Sequence, residues 1–159
     1  MTTAHVITVS DRASAGAMSD ASGPALVHAL KQAGFEVTGA EVVPDSHERI
    51  TRAIVAAVSR DIDVVVTTGG TGLGPRDVTP QATASIIDFE VPGLAEEMRR
   101  AGAASTPTAA LSRAIAGVRG RTLIVNVPGS VKGATESLAA VLPLLAHAIQ
   151  LLHGDTTHA

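Results

Sequence analysis

Four glycines, Gly69, Gly70, Gly72 and Gly74, fall within a span of six residues, with Thr67, Thr68 and Thr71 beside them and Pro75, Arg76 and Asp77 directly after. Glycine admits positive φ and lets backbone N–H groups come close to an anion, so such a loop suits phosphate. It is not a Walker loop, because Pro75 and Arg76 stand where lysine and a hydroxyl residue belong. A dinucleotide fingerprint follows the first strand and opens a helix at once. Here the loop follows the third candidate strand, and residues 75–78 delay the helix. A flexible turn is the structural alternative.

Asp77 closes this loop. A carboxylate beside a phosphate cradle repels the anion unless a cation mediates, so Asp77 suits a Mg²⁺ ligand or an acid/base; a surface aspartate favoured by a helix N-terminus is the plainer account. Arg76 offers charge to a phosphate or to solvent. Asp45 and Glu48 have capping-box spacing, which alone explains Asp45. Ser10 and Asp11 follow the first strand, and Asp11 is either a second metal ligand or a loop residue. Pro128, Gly129 and Ser130 form a strand-to-helix junction, read as an anion site or an ordinary capped turn. The six histidines show no metal-spaced pair and read as structural or solvent-facing. No serine has nucleophile-elbow context.

The elements that must carry these loops alternate. Apolar, β-branched runs predict strands over 5–9, 35–43, 62–67 and 122–127. Helical spacing predicts helices over 24–33 with Ser22 as cap, from Asp45 to about Arg60, from Thr79 as cap with Pro80 at the first position, over 92–100, over 108–116, and from Ser130 to near His153. Pro143 is expected to kink or restart the last of these. The pattern is a three-layer α/β fold of doubly wound character, a mostly parallel sheet with helices on both faces, in one domain over 1–159 with a disordered tail from about residue 154. Such sheets bind ligands at the carboxyl ends of their strands, where Ser10, Asp11, Asp45, the glycine loop and residues 126–130 all fall.

Composition narrows the partners. The 159 residues carry 45% hydrophobic and 17% charged residues, a net charge of -3 and no basic run, which argues against nucleic acid. Cysteine is absent, which excludes disulfides, zinc thiolates and iron–sulfur clusters. Trp and Tyr are absent and only Phe35 and Phe89 are aromatic, so a planar ligand must rest on aliphatic side chains and backbone. No secretory signal and no apolar stretch near the ~20 residues of a spanning helix are seen, so a cytoplasmic protein without membrane partners is expected.

Residues 67–83, from Thr67 through the glycine loop, Arg76 and Asp77 to Thr83, resemble the signature of the MoaB/Mog family of molybdenum cofactor biosynthesis. Segments 9–11, 20–24, 43–45, 91–94, 111–113 and 126–130 are also similar to that family, lie in its order and cover nearly the whole chain. The chain resembles the G domain of the eukaryotic fusion proteins as well. The resemblance implies adenylylation of molybdopterin with Mg²⁺-ATP and release of pyrophosphate, a homotrimer, and a molybdenum-insertion protein downstream. It implies that Asp45 and Asp77 act in the chemistry and hold Mg²⁺. It also implies that Gly69, Gly70, Thr71, Gly72 and Arg76, with Ser10, Asp11, Pro128, Gly129 and Ser130, bind substrate or phosphate. Phe89 stands where members often carry a basic residue. A non-catalytic molybdopterin-binding protein of the same pathway is the main alternative. A dinucleotide-dependent oxidoreductase is disfavoured, because the glycine loop is misplaced and no ribose-binding acid ends the second strand.

Overall fold

The computed structural model describes residues 1–155 and 157. The expected tail from residue 154 therefore lies partly outside the described residues. The chain opens with β1 (Thr3–Val9), a short α1 (Asp11–Ser14), α2 (Ser22–Gln32) and β2 (Glu36–Val43). It continues with α3 (His47–Ser59), β3 (Val64–Thr68), α4 (Thr79–Ile86), β4 (Phe89–Glu90) and α5 (Pro92–Ala103). A 3₁₀ turn (Pro107–Leu111) leads to β5 (Ala116–Arg119), β6 (Thr122–Val127) and α6 (Val131–Leu152).

The six strands form one sheet in the order β2-β1-β3-β6-β5-β4. The first four run parallel, and β5 and β4 are antiparallel additions on one edge. All of β3 and β6 is buried, as expected of apolar strands covered on both faces. Side chains alternate between two cores. Val6, Val66 and Val125 pack with Leu26, Leu30, Met98, Leu138 and Leu145 from α2, α5 and α6. Ile7, Val65 and Ile124 pack with Ile50, Ile54 and Ala82 from α3 and α4. This is the expected three-layer arrangement with helices on both faces. Each fully buried Leu or Ile contributes about 1.5–3 kcal/mol of burial free energy.

Several local expectations are corrected. The helix expected over 108–116 is a 3₁₀ turn followed by extended chain entering β5. Its alanines favour helix, but tertiary pairing prevails: the Asn126 amide of β6 donates to the Ile115 carbonyl, and the Arg113 amide donates to the Thr71 carbonyl of the glycine loop. Ser22 lies inside α2, and the Asp20 carboxylate accepts from the Gly23 amide at that helix start. Asp45 does not cap α3; the Ser46 hydroxyl does, accepting from the Arg49 amide. Thr79 is the first residue of α4, not its cap.

Pro143 does not restart α6, which runs unbroken for 22 residues. Pro143 and Ala139, whose carbonyl loses its donor, are both exposed, so water can satisfy that carbonyl. That helix also overturns the expectation about spanning length, since it is 22 residues long and an 18-residue stretch of it has mean hydropathy 1.4. Its apolar stripe is committed to the protein core through Leu138, Val141, Leu145 and Ile149. Two histidines are structural, as expected: His5 Nε2 lies 2.9 Å from Glu41 and His153 Nε2 lies 2.8 Å from Asp63.

Candidate functional site

The carboxyl ends of β1, β2, β3 and β6 bring four loops to one edge of the sheet. The loop after β3 turns sharply because Gly69 and Gly70 have φ of 100° and 69°, a region costly for any side-chain-bearing residue. A Cβ on Gly69 would lie 2.3 Å from the Val9 carbonyl, and one on Gly70 would lie 2.3 Å from Thr79 Oγ1 and 3.1 Å from Asp45 Oδ1. Glycine is thus required where the loop passes β1 and Asp45. The turn is pinned by the Gly69 amide donating to Val127, the Thr79 hydroxyl donating to Gly69 and the Thr79 amide donating to Gly70.

Asp77 folds back over the same loop. Its Oδ2 accepts from the Gly74 amide at 2.8 Å, and Cβ atoms on Gly72 or Gly74 would approach that oxygen to 3.0 and 2.9 Å. Arg113, from the segment before β5, donates to the Gly72 carbonyl at 2.8 Å and to the Asp77 carbonyl at 2.7 Å. The carbonyls of Gly69, Gly70, Thr71, Gly72, Gly74 and Asp77 are therefore engaged, while no described protein group accepts from the amides of Gly70, Thr71 and Gly72. Those amides are available to an anion.

Two chambers flank the loop. One, of about 260 Å³, is acidic and is lined by Ser10, Asp20, Asp45, Thr68, Gly70 and Asp77, with Gly69 and Gly129 also on its wall. The other, of about 250 Å³, is more apolar. Thr71, Gly72, Pro128 and Ser130 form its loop side, and Ala95, Met98 and Leu111 its aliphatic side. The start of α6 opens on it, with the Ser130 hydroxyl capping the helix by accepting from the Gly133 amide. A helix N-terminus favours negative charge.

Asp45 sits half-buried at the end of β2. Burial pushes its carboxyl above the ordinary value, and the negative charges of Asp11 and Asp77 push the same way. The Asp11 amide and the Arg76 charge partly oppose them. A carboxylate held this way gains from a cation. Asp11 and Arg76, expected to bind substrate, line neither chamber; Arg76 donates to both Asp11 oxygens, at 2.9 and 3.0 Å. That bond holds the Asp11 carboxyl below its usual range.

Thus Ser10, Asp45, Gly69, Gly70, Asp77 and Gly129 meet at one chamber, and Thr71, Gly72, Pro128 and Ser130 at the other. Phe89 is 56% exposed on the edge strand β4 and faces neither. The residue reading missed Arg113, whose role depends on a contact 41 residues away with no local signal. It also assigned nothing to Asn126, whose buried amide donates to Thr67 at 2.9 Å and Thr83 at 3.0 Å and joins β3, β6 and α4 beneath the loop. Among the described residues, no three acidic or histidine side chains gather as a metal cluster. Two carboxylates completed by substrate phosphates fit Mg²⁺, which keeps several waters and takes few protein ligands.

A mostly parallel sheet whose strand ends carry a glycine loop, a helix N-terminus and an acidic chamber defines an α/β protein with its candidate ligand site at the carboxyl ends of the strands. The chain belongs to the family of probable molybdopterin binding domains, which it matches over residues 5–147. Its fold superimposes on the molybdopterin biosynthesis enzyme MoaB of Thermus thermophilus with a TM-score of 0.91 and 50% identity, covering 97% of this chain and 98% of that one. It is 38% identical to the molybdopterin adenylyltransferase of Helicobacter pylori J99, over 98% of this chain and 91% of the relative. It is also 38% identical to the molybdenum cofactor biosynthesis bifunctional protein of Chlorobaculum tepidum, over 94% of this chain but only 48% of the relative, so it spans about half of that longer protein.

Proposed function

We propose that the chain is a molybdopterin adenylyltransferase. A terminal phosphate oxygen of molybdopterin attacks the α-phosphorus of ATP, the bond from that phosphorus to the bridging oxygen breaks, and pyrophosphate leaves. The observation that carries this is the convergence of Asp45 and Asp77 with Gly70 on one chamber wall, next to Thr71 and Gly72 at the adjoining chamber. The Helicobacter relative named for this activity supports it.

Both reactants are anions, so alignment and charge neutralisation set the barrier. The loop amides of Gly70, Thr71 and Gly72 orient the attacking phosphate. The apolar chamber takes the pterin ring against Met98, Ala95 and Leu111, a thioether and two aliphatic surfaces in place of the aromatic stacking this chain lacks. Asp45 and Asp77 would hold Mg²⁺, which when bound offsets negative charge on the polyphosphate. The start of α6 adds a positive end close to the transferring groups. The working assembly is proposed to be a homotrimer that hands its product to a downstream molybdenum-insertion protein. The bifunctional relatives, about twice as long as this chain, support a second step in the same pathway.

The test is pyrophosphate release by the purified chain with molybdopterin, ATP and Mg²⁺, beside Asp77→Ala. Release that requires molybdopterin and collapses in the variant is the expected result. Wild-type protein that binds molybdopterin and releases nothing defeats the enzyme reading and leaves a binding protein. Sedimentation of the same sample checks the trimer.

A further inference from the structure

Asp11 and Asp45 hold one another through two reciprocal bonds. The Asp11 amide donates to Asp45 Oδ2 at 2.8 Å, and the Asp45 amide donates to Asp11 Oδ1 at 2.9 Å. They are 34 residues apart in sequence and come from the ends of β1 and β2. Two like charges in this arrangement repel unless a cation offsets them. Arg76 supplies it, gripping both Asp11 oxygens in the fork geometry that only guanidinium offers.

The consequence for Asp45 is directional. The tether occupies Oδ2 and leaves Oδ1 toward Gly70 on the chamber wall, with no described protein group donating to it. We propose that Asp11 is a positioning residue for Asp45, and that Arg76 acts by holding Asp11 rather than by touching a phosphate. This rests on the adenylylation reading for its kinetic consequence, but the geometric claim stands apart from it. An isolated surface ion pair contributes little. This pair matters because it fixes where a second carboxylate points, and small displacements of reacting groups cost large factors in rate.

The experiment combines kinetics and amide exchange on the full-length chain. In Asp11→Ala and Arg76→Gln, kcat for pyrophosphate release falls about tenfold or more while KM for ATP and molybdopterin stays within about twofold. Arg76→Lys recovers little, because a point charge does not grip both oxygens, and Asp11→Asn recovers part, because it keeps an acceptor for the Asp45 amide. In an Asp45→Asn background, loss of Asp11 changes the rate by less than about twofold, since a residue acting through another has nothing left to position. A KM rise of about tenfold with multiplicative losses in that double variant shows direct substrate contact and overturns the proposal. Should the wild-type chain release no pyrophosphate, the adenylylation reading fails, and hydrogen exchange still decides the positioning claim. The Asp45 amide must exchange at least about tenfold faster in Arg76→Gln; unchanged exchange overturns it. Because Arg76 is exposed, its variants keep the test open if Asp11→Ala does not fold.

Discussion

Gly69 and Gly129 touch across the middle of the site: a Cβ on Gly129 would lie 3.2 Å from the Gly69 Cα. The loops after β3 and β6 therefore meet with no side chain between them, and the loop after β1 presses on Gly69 from the other side through the Val9 carbonyl. The two chambers are separated by little more than backbone at this point, so groups bound in each lie close together.

Substitution at these two glycines should differ sharply. Gly69→Ala combines positive φ with a 2.3 Å approach to a backbone oxygen that cannot swing away, and should lower stability by about 3 kcal/mol or more. Gly129→Ala needs a shift of only a few tenths of an ångström and should lower it by about 1 kcal/mol while reducing turnover. Urea midpoints at constant m measure the first effect, and pyrophosphate release the second. Equal midpoints for the two variants contradict the packing described here.

Arg113→Met keeps an apolar stem and removes the donors to the Gly72 and Asp77 carbonyls. Stability should fall by about 1–2 kcal/mol, because two hydrogen bonds from a charged, part-buried donor are lost. The rate should fall about tenfold or more, because the loop and Asp77 lose their shared frame. Faster amide exchange confined to residues near Gly72 and Asp77 identifies the cause, whereas uniform acceleration across the sheet points to global destabilisation instead.

Asn126→Ala leaves the buried hydroxyls of Thr67 and Thr83 without their donor and the Ile115 amide without a side-chain acceptor. The expected loss is about 2–3 kcal/mol, since unsatisfied buried polar groups are expensive. Thermal denaturation reads it. A change under about 0.5 kcal/mol means that water or a rearranged threonine replaces the amide.

Asp45 and Asp11 should influence acid stability in opposite senses. Asp45 has a folded value raised above the ordinary aspartate value of 3.8, first by burial. Its contribution is fully present below 3.8 and is lost as pH rises through the higher folded value. Asp45→Asn should therefore stabilise the ligand-free protein at about pH 7, with the gain disappearing on acidification. Asp11 has a lowered folded value, first through its bond with Arg76, so its contribution is present above 3.8 and is lost as pH falls through the folded value. Asp11→Asn should then destabilise at about pH 7 and become neutral in acid. Urea midpoints across the acid range decide both signs.

The sequence made the parallel half of the sheet readable because β1, β3 and β6 are apolar runs long enough to be recognised without partners. It did not reveal β4, whose two residues owe their conformation to β5. Nor did it reveal β5, since Ala114 and Ala116 favour helix until Asn126 offers Ile115 a backbone partner and Val125 pairs with Ala116. The site shows the same division. The glycine loop and Asp77 announce themselves locally, because backbone geometry demands glycine. Asp45 has capping spacing from Glu48, yet its carboxylate turns to Asp11, and only the fold brings those two strand ends together. Arg76 offers its charge locally, and only the fold shows that it donates to Asp11 on the loop after β1.

The aliphatic core has an optical consequence. Without Trp or Tyr, and with Phe35 and Phe89 as its only benzene rings, the polypeptide is nearly dark in the near ultraviolet. A conjugated ring bound against Met98 and Leu111 would dominate the absorption of the complex at wavelengths longer than those of phenylalanine and adenine. Its absorption, emission and induced dichroism would report occupancy directly, with no protein fluorescence to subtract and no indole to quench it.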